Sequence, residues 1–169
     1  LTRRKQEEQQ RIQEAETIQI QQQSLLQIST TPAFINGDVE TVARHLTEAG
    51  ARLLKVRRCS LWLFEEREGQ LRCQDLYDAQ TNEHTGGYLL KTNRCPSYLQ
   101  ALQAGRVINA EDAWRDPRTE ELADTYLRPQ GIVSLLDATV RFSGKFVGVL
   151  CAESVESKRS WTDLEVRFA

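Results

Sequence analysis

The side chains of this sequence with the widest chemistry are four cysteines, Cys59, Cys73, Cys95 and Cys151, and two histidines, His45 and His84. Cysteine and histidine at short fixed spacings bind zinc, and C-x-x-C marks a metal knuckle or a redox pair. Here no two cysteines form C-x-x-C, and neither histidine lies at ligand spacing to a cysteine. No metal site is expected. A disulfide framework does not suit a chain of 169 residues with this much alternating apolar sequence. The four thiols read as reduced, small hydrophobic side chains of an intracellular protein, and the expected location is the cytoplasm.

Charge excludes a further class. Twenty-two basic residues face 24 acidic ones, a formal net charge of -2. A nucleic-acid footprint is a basic excess or stripe, so no nucleic-acid partner is expected. No apolar run approaches the ~20 residues of a membrane span. Residues 1–10 are charged and Gln-rich, with no apolar core of a signal peptide behind them. This stretch is expected to make no membrane contact.

The elements that must position any site divide the chain at about residue 30. Residues 1–30 are good helix formers without Gly or Pro before Thr31-Pro32. Arg3, Arg4, Lys5 and Arg11 balance Glu7, Glu8, Glu14 and Glu16, while Ile12, Ala15, Ile18, Leu25, Leu26 and Ile28 form a partial apolar stripe. The preferred reading is a connecting helix that pairs with a second copy; a polar linker is the alternative. Gln at some seam positions makes such pairing marginal.

Residues 31–169 form the domain proper. Thr31-Pro32 breaks the first helix, Asn36-Gly37-Asp38 supplies a turn, and Asp38 caps a helix over about 39–55. His45 rides on that helix as a packed or surface side chain. Residues 59–66 and 71–77 read as a hairpin around Glu68-Gly69. Residues 78–87 read as loop, and Tyr88-Leu89-Leu90 as a short strand. Pro96 opens a helix to 104 that ends on Gly105 as C′ residue. Val107-Ile108 is a short strand. Asp116-Pro117 starts another helix carrying Leu122, Ala123 and Tyr126 as far as Pro129. Residues 131–142 and 145–154 make a long hairpin around Ser143-Gly144. Thr162 and Glu165 then have capping-box spacing, with Trp161 and Val166 as its staple, and the sequence stops barely two turns on. Strand runs mixed with helices, without strict βαβ alternation, give an α+β fold. The excursion Asp78–Pro129 lies over one face of the sheet and creates a pocket.

This order of pieces resembles a GAF domain. The resemblance is carried by G-R-V-I-N-A-E-D-A-W-R-D-P-R (105–118), G-I-V-S-L-L-D-A-T-V, F-V-G-V-L-C-A-E and the closing R-S-W-T-D-L-E-V-R-F-A, and spans about Ala33 to Ala169. One departure is Thr139, where such domains often carry Pro. The resemblance implies a twisted antiparallel sheet, with terminal helices on one face and a loop and short-helix pocket on the other. It also implies that the first and last helices run on into adjoining modules. The wording is most similar to GAF domains of cyanobacterial-type sensor histidine kinases and diguanylate cyclases.

Within that resemblance, covalent bilin binding needs a Cys, usually followed by His; Glu121-Leu122 stand at that position, and the chain has no Cys-His pair. Cyclic-nucleotide binders carry an Asn-Lys that is absent here. Some stand-alone members reduce free methionine sulfoxide with thiols, for which Cys73, Cys95 and Cys151 are candidates, but without that family's close cysteine cluster. The expected function is therefore a non-catalytic sensory module, a homodimer through its terminal helices, with an unidentified small ligand and no cofactor. A ligand-free dimer scaffold is the alternative. The candidate ligand-binding residues are Arg72, Trp114, Tyr126 and Asp137. Their competing structural roles are a wet strand face, a core cover, a helix-to-sheet contact and a strand-end hydrogen bonder.

Overall fold

The computed structural model describes residues 3–169; Leu1 and Thr2, the start of the expected connecting helix, lie outside the described residues. Helix α1 spans Arg3–Ser29, the short α2 Pro32–Ile35 and α3 Val39–Leu54. The breaks between them follow local chemistry. Thr31 caps α2 with Pro at its first turn, and the Asp38 carboxylate accepts the Thr41 N–H. Lys55 closes α3 in the left-handed region.

Seven strands follow: β1 Arg58–Glu65, β2 Gln70–Asp78, β3 Glu83–Thr85, β4 Leu89–Lys91, β5 Val107–Ala110, β6 Ile132–Phe142 and β7 Lys145–Val155. Helix α4, Pro96–Ala104, precedes β5, and α5, Asp163–Phe168, follows β7. The sheet order is β3-β2-β1-β7-β6-β5, with β4 also on β2, and every pairing is antiparallel. The α+β class and GAF-like architecture therefore hold. The β6–β7 turn has positive φ at both Ser143 and Gly144, the primed geometry that matches strand twist. At α5 both halves of the Thr162–Glu165 capping box are made.

Two apolar layers flank the sheet. On one face α3 supplies Ala51 and Leu54, packed with Cys59, Leu136 and Ala152 of the strands and with Trp161, Val166 and Phe168 at the chain's end. On the other face Trp62, Leu71, Tyr98, Leu102, Leu127 and Leu135 belong to a larger cluster. Helix α4 and the 111–130 segment cover this second layer, so the terminal helices and the pocket take opposite faces.

Three local expectations are corrected. Residues 78–87 are not all loop: β3 pairs with the end of β2. No regular helix runs from Asp116 to Pro129. Asp116 is held by the Arg118 backbone and guanidinium, the Thr119 hydroxyl donates to the Ala113 carbonyl, and the chain makes a 3₁₀ turn at Glu120–Leu122 and a π turn at Ala123–Leu127. Gly105 ends α4 in extended conformation (φ -114°), not the left-handed one.

Strand β2 carries an irregularity that matters for the site. Leu61 pairs with Asp75 and Trp62 with Cys73, so Gln74 is an extra residue. A bulge of this kind reverses side-chain alternation. Leu71 and Cys73 before it, and Leu76 after it, all join the pocket-side cluster. Asp75 instead meets Thr47 of α3. The Gly86-Gly87 pair between β3 and β4 lies against this bulge: Gly87 donates to the Cys73 carbonyl, and a Cβ on Gly86 would stand 3.0 Å from the Gln74 carbonyl oxygen.

Candidate functional site

The face opposite α3 contains a cavity of about 610 Å³, within the ~300–1,000 Å³ range of small-molecule sites. Strands β1, β2, β6 and β7 form its floor. The wall is built by β3, β4, α4 and the 3₁₀ and π turns. Its apolar lining includes Trp62, Leu71, Leu76, Leu127, Leu135 and Val149.

A buried polar array crosses the floor. Because Asp137 pairs with Cys151 and Leu135 with Glu153 across β6 and β7, alternate residues of this hairpin point into the cavity together. The Arg58 guanidinium lies 3.2 Å from Glu153 and donates to Gln130 Oε1 at 2.9 Å. The Tyr126 hydroxyl donates to the other Glu153 oxygen at 2.7 Å. Arg58 and Glu153 thus form a neutralised pair with 8% and 2% side-chain exposure. The π turn is what brings Tyr126 over the sheet: the Arg128 N–H reaches back to the Ala123 carbonyl, and the widened turn carries the phenol to Glu153.

Asp137 has no such cation. It is 1% exposed, and its Oδ2 accepts from the Tyr98 hydroxyl at 2.6 Å. Its Oδ1 is buried without a hydrogen-bond partner. Burial pushes the Asp137 carboxyl up to about 7, partly offset by the hydrogen bond from Tyr98 and a weaker one from the Cys151 thiol. Burial also raises Glu153, against the lowering effect of Arg58. The cavity is acidic overall: Asp78, Glu83, Glu121, Asp137 and Glu153 line it against Arg58, Lys91 and Arg94.

The four sequence candidates separate. Tyr126 and Asp137 both line the cavity, although neither contacts the other's partner directly. Arg72 does not line it: ahead of the bulge its side chain alternates away from Leu71 and Cys73, and it pairs with Glu65 at 2.6 Å on the far face. Trp114 is not in the lining; its indole N–H donates to the Ile132 carbonyl, Arg128 stacks on its ring, and it packs against the pocket-side core. Arg58, Tyr98, Gln130 and Glu153 are site residues that the sequence reading missed. Glu153 had a signal, since it lies two residues beyond Cys151 on the same strand and shares its inward phase.

The positions of other candidate chemistries are also defined. Glu121 lines the cavity, and its carboxylate accepts from the Ser97 N–H and hydroxyl, both at 2.9 Å, closing the N-terminus of α4. All four thiols are free and buried. Burial raises Cys73 to about 12 and Cys95 to about 11, and lifts Cys59 and Cys151 as well. Among the described residues no group of three His, Cys, Asp or Glu side chains is placed to hold a metal ion, and no helix is long and apolar enough to cross a membrane. Thr139 uses the N–H that a proline would lack, donating to the Arg106 carbonyl at 2.8 Å.

Comparison with known proteins agrees with this architecture. The GAF domain family model matches residues 38–169. No curated protein sequence matches significantly. The GAF domain of a phosphoenolpyruvate-protein phosphotransferase from Coxiella burnetii superposes with a TM-score of 0.70 at 16% identity, covering 92% of this chain and 86% of that chain. A phycocyanobilin-bound GAF domain from a cyanobacterial phytochrome gives 0.69 at 15% identity, covering 88% and 86%. The free methionine-R-sulfoxide reductase of Neisseria meningitidis, solved with its substrate, gives 0.64 at 13% identity, covering 92% and 83%. At these identities the likeness is one of fold.

Proposed function

Since this chain belongs to the GAF domain family, we propose that it is a non-catalytic sensory module that binds a small molecule in the 610 Å³ cavity and passes its occupancy to adjoining signalling modules through the terminal helices. The observation that carries the reading is the buried Asp137 carboxylate in the cavity lining, one oxygen of which has no hydrogen-bond partner. A protein interior pairs its polar groups, and an unpaired one on a cavity wall is a ligand contact in waiting. The whole protein is then a cytoplasmic signalling protein of the sensor histidine kinase or nucleotide cyclase kind.

Coupling would run through a homodimer. Helix α1 buries Gln21 and Ser24, while Ile12, Ile18, Ile20, Leu25 and Leu26 are 40–64% exposed. These exposed apolar positions are largely uncovered by the rest of the described chain, and a second copy of the same helix is the partner that fits them. Leu25 and Ile28 of α1 and Phe168 of α5 border a common hollow beside α3, so both terminal helices meet on the face behind the pocket.

The thiol reductase alternative is disfavoured. Attack on a sulfoxide needs a thiolate, and burial holds every cysteine here above its ordinary range. The bilin alternative lacks its attachment thiol at Glu121-Leu122, where the carboxylate is engaged with α4.

Native mass spectrometry of the purified chain, with an absorbance scan, tests the proposal. A dimer that carries added mass and raised melting temperature is expected. A dimer that never carries or binds a small molecule would leave the ligand-free scaffold in its place.

A further inference from the structure

Accepting the sensor reading, we propose that the cavity takes a small organic cation, an ammonium or protonated amidine on an apolar body, with its charged nitrogen on Asp137 Oδ1.

The floor holds two carboxylates and one guanidinium. Arg58 and Glu153 neutralise each other as an ion pair at 3.2 Å; Gln130 and Tyr126 bond to their other atoms, while Arg58 Nε and Glu153 Oε2 face each other without a hydrogen bond. That leaves Asp137 as the carboxylate without a cation. The groups facing it are Tyr98 from α4 and Cys151 and Glu153 from β7, none of which supplies positive charge. Tyr98 satisfies Oδ2 only. A donor arriving at Oδ1 would complete the site, and a positive one would also replace the proton that burial favours on the empty carboxyl. The walls suit the rest of such a molecule. The rings of Trp62, Tyr98 and Tyr126 border the cavity, with Trp62 and Tyr126 edge to face at 6.0 Å. Aromatic faces favour organic cations, and the leucines beside them accommodate an apolar body. An anionic ligand would meet an acidic lining.

The pH dependence has a fixed sign. A cation needs Asp137 ionised, so its affinity is full above about pH 7 and falls about tenfold per pH unit below. A neutral acceptor ligand, bonded to protonated Asp137, would show the reverse.

The test is isothermal titration of the chain with three isosteric probes: 2-phenylethylammonium, 2-phenylethanol and phenylacetate. The ammonium should bind at least tenfold more tightly than the alcohol, and phenylacetate more weakly still. Asp137→Asn should remove the preference while the far-UV circular dichroism stays unchanged. Wild-type affinity for the ammonium should rise with pH from 5 to 7; this arm needs no variant. If the alcohol or phenylacetate binds as well as the ammonium, or affinity falls with rising pH, the cation assignment is overturned and the sensor reading stands. Failure of all three probes at millimolar concentration also overturns it, and the sensor reading then depends on the ligand mass found natively.

Discussion

The Nε2 of His84 lies 2.9 Å from the Glu48 carboxylate, joining strand β3 to helix α3 across 36 positions of sequence. The other ring nitrogen lies 2.8 Å from Asp75, which in turn accepts from the Thr47 hydroxyl. Neighbouring Glu83 and Thr85 line the cavity. One imidazole therefore connects the pocket wall to the helix layer behind the sheet. His84→Ala should cost about 2 kcal/mol, because it deprives a buried carboxylate of a partner. Glu48→Gln, at a half-exposed position, should cost less than about 1 kcal/mol. Urea denaturation of the two variants checks the order; equal losses would contradict it.

Asp137 should make stability depend on pH. Its folded-state carboxyl titrates at about 7 against an ordinary 3.8, because burial disfavours the charge. Between these values the folded state binds more protons than the unfolded state, so stability falls as pH rises. The contribution is fully present below the unfolded value and lost on passing the folded one. The slope is at most about 1.4 kcal/mol per pH unit. Asp137→Asn keeps the shape without the charge. The variant should gain on wild type from pH 4 to pH 8, as read by urea midpoints at each pH.

Gly50 sits where α3 crosses β1. A Cβ there would stand 2.6 Å from the Cys59 sulfur, which is fully buried. Helix propensity alone would favour Gly50→Ala by about 1 kcal/mol. The clash should reverse this, for a net loss of roughly 1–2 kcal/mol. Adding Cys59→Ala should restore most of it. A double-mutant cycle measures the coupling, and additive losses would show that the two sites do not meet.

Dimerisation is tested on α1. Ile18 and Leu25 are 40% and 48% exposed in the single chain. Replacing both with Lys should leave thermal stability of the domain near wild type and shift sedimentation from dimer to monomer. An unchanged sedimentation coefficient would remove the helix-pairing reading.

Much of this fold was legible because its signals are local. The Asp38 cap, the Thr162–Glu165 box and the Ser143-Gly144 turn are each decided within four residues. Strand β3 was not legible, since three residues, Glu-His-Thr, become a strand only through the edge of β2. The expected helix after Asp116 failed because the Arg118 and Thr119 side chains tie the backbone into tight turns. Asp137 and Tyr126 were recognisable as polar groups beside a covered sheet face. Arg58, Tyr98 and Glu153 become a site only through contacts far apart in sequence, such as the 39-residue separation of Tyr98 and Asp137. Arg72 was misplaced because its strand phase, rather than its residue type, decides which face it takes.

The extra residue at Gln74 gives the pocket an arithmetic basis. Leu76 and Asp78 border the cavity, and Asp75 meets α3, because one residue is left out of the pairing with β1. Closing the bulge with Gln74 kept, so that Gln74 rather than Asp75 paired with Leu61, would exchange the two sides, turning Asp75 and Tyr77 inward and sending Leu76 and Asp78 behind the sheet, whereas deleting Gln74 would leave a regular ladder with the present facing. In the closed register every side chain would keep its identity while the wall of the cavity and the anchor of His84 both changed. Among relatives with a strand of the same length, whether it bulges here or runs in regular register would therefore alter what the cavity recognises more abruptly than many substitutions within it.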